Sequence, residues 1–347
     1  MIHWRGINRR VSGCRDWLDT KFVEAYRVDV LTFYWLYRRC RASFQREDTR
    51  FRKAIDPCKR FAIVMHWLAH GFTERQLAEI YHVGATSVHR AIHEGLPALK
   101  TLAQYAIQFP RGEALLDTMA AFEIKPGLPM CAGGLDGTFM KIRKPERWGD
   151  SYWCYKNHCA IIIMAVVDCE GLFTYVDAGR AGCLGDAFTW NHCSLKQAID
   201  SDRLLNEHQQ IVGGTVVRPY LVADSAFALT SRLLKGFQHP PTPGLQAAFN
   251  SAVVSARRCT EIAFGHLKGR WGILTRNNIS DPNFAADVAI VCCGLHNICL
   301  RANSQHHAGW LPEDGDNAGN VGAAHEHDGA GNAQVVRTAL AHYVFQG

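Results

Sequence analysis

The spacing of apolar positions first turns from a helical to a strand-like period near residue 131, and the expected architecture divides there. Before that point the rhythm is helical. Through residue 55 aromatic and apolar residues are interleaved with arginines, as in VDVLTFYWLYRRCRASF. From Pro57 to Lys100 the 3.6-residue period sharpens and predicts three helices with two short breaks. Thr73 and Gln76 have the spacing of a capping box at the start of the second helix, and HVGATS supplies a glycine-containing turn before the third. Leu77, Ile80, Val83, Val88 and Ile92 fall where a helix-turn-helix buries its small core. Thr86, Ser87, His89, Arg90 and His93 are left on the outer side of the last helix. Three-helix packings outside DNA-binding proteins share this spacing, and only Arg90 and Lys100 are firm cations on that helix. DNA contact through Ser87, His89 and Arg90 therefore stands beside plain helix packing as an expectation.

Residues 101–130 continue as a helical connection ending at KPGLPM, after which the period shortens to two. AGGLDGTFMKI, HCAIIIMAVVDC and GLFTYVDAG are β-rich, the last two separated by the turn residues Glu170 and Gly171. GDAFTWNHCSLKQAID then reads as a helix, RPYLVADSAF as a strand ending at Asp224, residues 247–274 as a long helix and FAADVAIVCCGLHNICLRA as another. A three-stranded meander followed by alternating strands and helices predicts a mixed sheet covered by helices. Residues 303–333, rich in Gly, Asn, His and Asp, lack the apolar content for a core and are expected to be mobile. AQVVRTALAHYVFQ recovers a helical period. The expected organisation is an N-terminal helical segment at 1–55, a helix-turn-helix-like region at 56–110 and a connector at 111–130. A catalytic α/β domain follows at 131–302, then the mobile segment at 303–333 and a docking helix at 334–347.

Composition narrows this picture only slightly. With 48% hydrophobic and 20% charged residues among 347, the chain is globular, and the excess of Lys and Arg over Asp and Glu, 38 to 32, permits nucleic-acid binding without requiring it. The opening MIHWRGINRR carries charge where a signal peptide has its apolar run. The longest uncharged apolar stretches reach about half of the roughly 20 residues a membrane span needs, so a soluble intracellular protein is expected. The 13 cysteines are odd in number, and Cys131, Cys159, Cys292 and Cys293 sit within apolar runs, which favours reduced core thiols over disulfides.

The chemistry is concentrated in three acids in unusual places. Asp136 interrupts a buried strand among Gly133, Gly134 and Gly137, Asp224 ends an apolar strand, and Glu261 lies in the long helix. A carboxylate so placed is costly unless something cationic meets it. At 100° per residue, Phe264, Leu267, Trp271 and Leu274 make the core stripe of that helix. Glu261, Arg257, Lys268, Gly265 and Gly272 border the stripe, with Arg258 at the margin. A solvated i,i+4 pair between Arg257 and Glu261 explains the helix alone. The three acids together, drawn from two strands and a helix, suit hard divalent cations, with oxygen ligands and positions left for substrate oxygens. Two such ions roughly 3.5–4 Å apart activate a water or a 3′-hydroxyl in phosphodiester chemistry. On this reading Arg257, Arg258 and Lys268 meet phosphate, and the three glycines keep the backbone slim enough for metal and phosphate to approach.

Further along, Lys141, Arg143, Lys144, Arg147 and Lys156 interleave with Trp148, Tyr152, Trp153 and Tyr155. That mixture suits a DNA strand with unstacked bases, or equally a charged, protected sheet edge. Cys292, His296 and Cys299 share a helix face, but a soft-metal site needs a fourth ligand, and core packing is the preferred reading. The HEH at 325–327 is expected to be solvated.

GGLDGTFMKI, YLVADSAFAL, ARRCTEIAFGHLKGRWGIL and VAIVCCGLHNI, in this order, resemble Harbinger-type DDE transposases and their domesticated nuclease relatives. YWCYKNHCAIIIMAVVDCEGLFTYVDAG, the GDA at 185–187 and the closing RTALAHY resemble them too, so the likeness covers most of residues 57–300 and the tail. The resemblance implies a ribonuclease H-like fold behind an all-α helix-turn-helix region. It also implies an Asp136–Asp224–Glu261 triad binding Mg²⁺ or Mn²⁺, with Asp186 as an auxiliary acid. The implied activity is an endonuclease cutting at transposon ends and joining the 3′-hydroxyl to target DNA. The implied partners are DNA, a Myb-like DNA-binding protein and further copies of the chain, in the nucleus after partner-assisted import and with no membrane. The chain departs from the family's pattern at Gly185, where relatives often carry His or Asn, and at His266, where a basic residue is common. A domesticated DNA-binding or scaffold protein without transposition chemistry is the competing class, and a phosphoesterase of small substrates a third.

Overall fold

The computed structural model describes residues 15–238, 243–276, 278–304, 306–310 and 331–346. Two compact units emerge, and neither is continuous in sequence. One comprises residues 1–106, 141–143 and 266–311; the other comprises 107–140, 144–265 and 312–347.

The first unit is helical. It contains α1 (Arg15–Tyr26), α2 (Val30–Phe44), α3 (Pro57–His70), α4 (Glu74–Tyr81), α5 (Ala85–Ala106) and, from far along the chain, α10 (Pro282–Arg301). Local chemistry fixes the helix starts. Asp29 Oδ1 accepts from the Thr32 N–H at 2.9 Å, and Asp56 does the same for Lys59 at 3.1 Å ahead of Pro57. The capping box expected at Thr73 is present, with the Gln76 N–H donating to Thr73 Oγ1 at 3.3 Å and the Thr73 N–H to Gln76 Oε1 at 2.9 Å. Leu77, Val88 and Ile92 are buried as expected, whereas Ile80 is 48% exposed. In the short α4 the buried face is shared by Leu77 and Tyr81, and Ile80 lies about 100° round from Tyr81. By length and composition α10 is apolar enough to cross a membrane, a property the sequence reading missed because it measured only uncharged runs. Here it packs along α5, where a side chain at Gly294 would strike Ala103, and Asn297 Nδ2 donates to the Ala106 carbonyl at 3.0 Å. Cys292, His296 and Cys299 are all within its buried face.

The second unit holds the sheet. Its strands are β1 (Cys131–Lys141, the last residue counting with the helical unit), β2 (Trp153–Cys154), β3 (His158–Val167), β4 (Phe173–Ala181), β7 (Tyr220–Val222) and β8 (Leu233–Leu234). Along the sheet the order is β2-β3-β1-β7-β8, with β4 also paired to β3. The central strand β3 is an almost wholly apolar run and is buried along nearly its whole length. It pairs antiparallel with β4 from Ile161↔Ala181 to Val167↔Phe173. Asp168 shapes the turn between them, its Oδ1 accepting from the Glu170 and Leu172 N–H groups, both at 2.9 Å. On the other side β7 runs parallel to β1, and β8 parallel to β7. The sheet is therefore mixed, as expected.

The helices of this unit are α6 (Glu113–Ile124), α7 (Gly185–Asn191), α8 (Ser194–Asp200), α9 (Leu245–Arg270, its last turn counting with the helical unit) and α11 (Gly331–Gln346). Two expectations need correction. The single helix over 185–200 is broken before α8, where Cys193 Sγ accepts from the Lys196 N–H at 3.4 Å and starts a new helix. The helix expected to reach residue 274 ends at Arg270, and Gly272–Thr275 form a 3-10 turn. A hairpin escaped the sequence reading: β5 (Gln210–Val212) and β6 (Thr215–Val217) are joined by Gly213 and Gly214, both at positive φ. The GG between β-branched residues was its signal. Val212 and Val217 share the core with Val336 and Leu340 of α11. Residues 311–330, the greater part of the expected mobile segment and the site of the HEH, lie outside the described residues. Among the described residues the cysteines are free, and most are buried.

Candidate active site

Register alone sets two of the acids side by side. The last paired positions of the parallel strands β1 and β7 are Gly134 and Val222, and Asp136 and Asp224 each lie two residues further on. Two residues is one strand period, so both stand at equal offset past the last paired positions, Asp136 within the longer β1 and Asp224 just beyond β7. Gly134 shares the Asp136 face, and there α9 comes down on the sheet. A Cβ at Gly134 would collide with Thr260 Oγ1 and lie 3.5 Å from the Ala256 carbonyl. That close approach brings Arg257, in the same turn of α9, to Asp136. Arg257 Nη2 stands 3.9 Å from Asp136 Oδ2 and 3.8 Å from Glu261 Oε1.

The glycines thus do a different job from the one expected. Gly133 faces Val166 and the Val167 carbonyl, Gly134 faces α9, and Gly137 faces Asp186, whose carboxylate a Cβ would strike. They admit protein rather than metal or phosphate. One result is that Asp186, 6% exposed at the start of α7, stands against β1 beside Asp136.

Electrostatics follow from this crowding. Burial pushes the Asp136 carboxyl from its ordinary 3.8 up to about 7; Arg257 and the Gly137 N–H oppose the rise, while Asp224 and Asp186 add to it. The Gly137 N–H donates to Asp136 Oδ1 at 2.8 Å. Asp224, 9% exposed, is raised by burial and held down by the Ala226 N–H, which donates to Oδ1 at 2.8 Å, and by Arg257 and Lys235. Lys235 was overlooked in the sequence. It follows β8 directly, is 8% exposed, and donates from Nζ to the Ser225 carbonyl at 3.1 Å beside Asp224. Its only signal was a cation abutting the apolar pair Leu233–Leu234. Glu261 is the open member, its side chain 47% exposed. The Arg257 Nε is buried without a hydrogen-bond partner, so the guanidinium is placed by charge and not locked by hydrogen bonds at that atom.

The remaining expected residues divide. Lys144, Lys156 and Arg258 belong to this unit: Arg258 is exposed, Lys144 pairs with Asp150 at 2.6 Å, and Lys156 Nζ lies 5.9 Å from the Phe139 ring. Trp148, Trp153 and Tyr155 beside them are all exposed. Lys141, Arg143, Lys268, Ser87, His89 and Arg90 belong to the helical unit. Lys268 is 4% exposed and so lacks the open face that a phosphate contact needs. The wheel that set it beside Glu261 could not see what covers that edge of the helix. His266 stacks on His306 at 4.4 Å, and burial, with Arg270, lowers its basicity further.

Asp136, Asp224, Asp186 and Glu261 offer oxygen donors only, and in two of them, Asp136 and Asp224, burial already disfavours the charged form. Such a donor set fits a hard dication, which would favour their ionised forms.

Comparison with known proteins points to a nuclease-type family. Residues 135–297 match the family of DDE superfamily endonucleases. An Arabidopsis thaliana protein named ALP1-like is 26% identical over 317 residues, covering 87% of this chain and 76% of that protein. The Arabidopsis protein named Antagonist of Like Heterochromatin Protein 1 is 24% identical over 295 residues, covering 81% and 73%. The "Putative nuclease HARBI1" of Xenopus laevis is 24% identical over 281 residues, covering 79% and 75%. No solved structure matches the chain. Across a DDE superfamily endonuclease segment and most of its length, the chain resembles the Harbinger-type DDE transposases and their domesticated nuclease relatives.

Proposed function

We propose that this protein is a divalent-metal-dependent DNA endonuclease of the DDE transposase type, cutting at transposon ends and joining the freed 3′-hydroxyl to target DNA. The observation that carries the reading is the shared guanidinium of Arg257, at ion-pair distance from both Asp136 and Glu261, with Asp224 and Asp186 close enough to raise Asp136. Acids from two strands and a helix are gathered around one cation, leaving net negative charge for a cationic cofactor to offset. The strand order β4-β3-β1-β7-β8, with its antiparallel β3–β4 pair and parallel β1–β7–β8 side, supports a ribonuclease H-like assignment.

In this reading Asp136, Asp224 and Glu261 hold Mg²⁺ or Mn²⁺, and Asp186 is an auxiliary acid. When bound, the ions supply a polarised phosphate and an acidified water or 3′-hydroxyl. The chain does the rest. The Gly137 and Ala226 N–H groups fix one oxygen each of Asp136 and Asp224, leaving the other oxygens to face the site. Glu261, on the exposed side of α9, completes the cluster from the solvent side. Arg257 exchanges carboxylate neighbours for a phosphate oxygen when DNA arrives. Lys144, Arg147 and Lys156, among the exposed rings of Trp148, Trp153 and Tyr155, take the strand leading away from the site. The α3–α5 helices serve as a helix-turn-helix, and a Myb-like partner and nuclear location complete the proposal.

A second reading has one observation in its favour, the relative named for antagonism of a heterochromatin protein. Under it the fold is kept for binding and the chemistry is idle. Incubation with Mg²⁺ or Mn²⁺ and DNA bearing the element's terminal repeats separates the two. Nicking that is lost in Asp136→Ala supports the nuclease. Equal cutting by that variant refutes the triad, and DNA binding without cutting by wild type favours the second reading.

A further inference from the structure

A second group of ligand-type side chains lies in the helical unit and plays no part in the carboxylate site. Glu74 is the first residue of α4, fixed there by the capping box at Thr73, and His89 and His93 stand one turn apart on α5. One ligand atom from each of the three lies within 4.8 Å of the others. His89 Nδ1 is 2.8 Å from Glu74 Oε1, and the two imidazole centroids are 4.1 Å apart. The His93 ring is stacked on Phe284 at 4.4 Å, so its plane is set by packing from α10 rather than by solvent.

Two imidazoles at i, i+4 on one helix face, met by a carboxylate from a neighbouring element, form a borderline donor set. Ligand bonds of about 2.0–2.2 Å at tetrahedral angles put donor atoms roughly 3.3–3.6 Å from one another. The observed pair, at 2.8 Å, is tighter than that, and the other pairs lie no further apart than 4.8 Å. An ion pair between Glu74 and His89, and the stacking of His93 on Phe284, account for the residues two and one at a time. A shared cation explains all three.

We propose that Glu74, His89 and His93 form a Zn²⁺ site that clips the start of α4 to the first turns of α5, with the fourth position open to water or an external ligand. The site ties the two helices of the helix-turn-helix together across their connecting turn. It also takes His89 out of the set of side chains free to reach DNA, leaving Ser87 and Arg90.

The test uses the full chain stripped of metal and then titrated with Co²⁺ in a large excess of Mg²⁺, which keeps the all-oxygen carboxylate site occupied. One equivalent of Co²⁺ should give the visible bands of a tetrahedral nitrogen–oxygen site, and Zn²⁺ should bleach them. His89→Gln and His93→Ala should each weaken binding by tenfold or more with circular dichroism unchanged, while Asp136→Asn keeps the bands. No stoichiometric tetrahedral Co²⁺ in wild type, bands that persist in both histidine variants, or bands lost only in Asp136→Asn would each overturn the proposal. The carboxylate chemistry is tested separately by DNA cleavage, so failure of one leaves the other standing.

Discussion

Replacing Asp136 by asparagine separates what this carboxylate costs the fold from what it does for the reaction. In the folded chain its carboxyl is raised from 3.8 to about 7, first by burial. Over that interval the unfolded chain is ionised while the folded one still holds its proton, so folding stability falls as pH rises. Below the unfolded value both states are protonated, and the group contributes nothing. Above about pH 7 both are ionised, and the penalty is constant. The gap of ~3 pH units corresponds to roughly 4 kcal/mol. Asparagine carries no such penalty and keeps an oxygen to accept the Gly137 N–H. The variant should therefore match wild type near pH 4 and exceed it increasingly up to about pH 7. For a domain of this class the final difference is on the order of 10 °C in melting temperature. Calorimetry or dye-monitored melting from pH 4 to 8 in EDTA reads the effect directly. Mg²⁺ or Mn²⁺ at about 100 Kd should return ~2.7 kcal/mol to wild type and little to the variant. The same variant should not cut DNA. A wild-type-to-variant difference that is flat across this pH range would refute the assigned shift, and with it the picture of a crowded acidic cluster awaiting a cation.

Other outcomes follow from single contacts. Arg257→Met should reduce the salt slope of DNA binding by about 0.9 and abolish cleavage, because one phosphate contact goes and Asp136 loses its nearest cation; an unchanged slope in filter-binding titrations would remove Arg257 from the interface. Gly134→Ala should cost about 1–3 kcal/mol by driving a methyl into Thr260 Oγ1. Adding Thr260→Ala should recover much of that in urea melts, since this hydroxyl has no hydrogen-bond partner to lose. Thr73→Ala should cost the helical unit about 1 kcal/mol through the lost cap of α4, and hydrogen exchange should show the first turn of α4 opening sooner.

Much of the candidate site was legible because its acids violate local pattern. A carboxylate in an apolar strand, and another just after one, cannot be explained by packing, and the eye goes to Asp136 and Asp224 unaided. Glu261 was harder, since an i,i+4 partner at Arg257 made it ordinary. It stood out only when the three acids were taken together, and the resemblance to transposases then fell on the same residue. What misled was reading one helix as if nothing stood against it. The wheel put Lys268 beside Glu261 on an open strip, yet Lys268 is buried in the helical unit. Likewise the glycines of β1 read as space for a substrate, when neighbouring protein fills it. Lys235 escaped because its partner, Asp224, is brought near only by the β7–β8 pairing.

By itself the sequence determined the elements whose causes are local: the capping box at Thr73, the turn at Glu170 and Gly171, the alternation from helices to strands, and the identity of the unusual acids. Those depend on hydrogen bonds and periodicities within a few residues, which any reader of the chain possesses. Only tertiary structure decided which residues share a unit and how the acids are charged. Residues 266–311 return to a core begun by the first 106, and Asp136 reaches about 7 because burial and two distant aspartates act on it together. Both are sums over neighbours far apart in sequence. Desolvation and Coulomb energy depend on distance through space, and no local pattern encodes it.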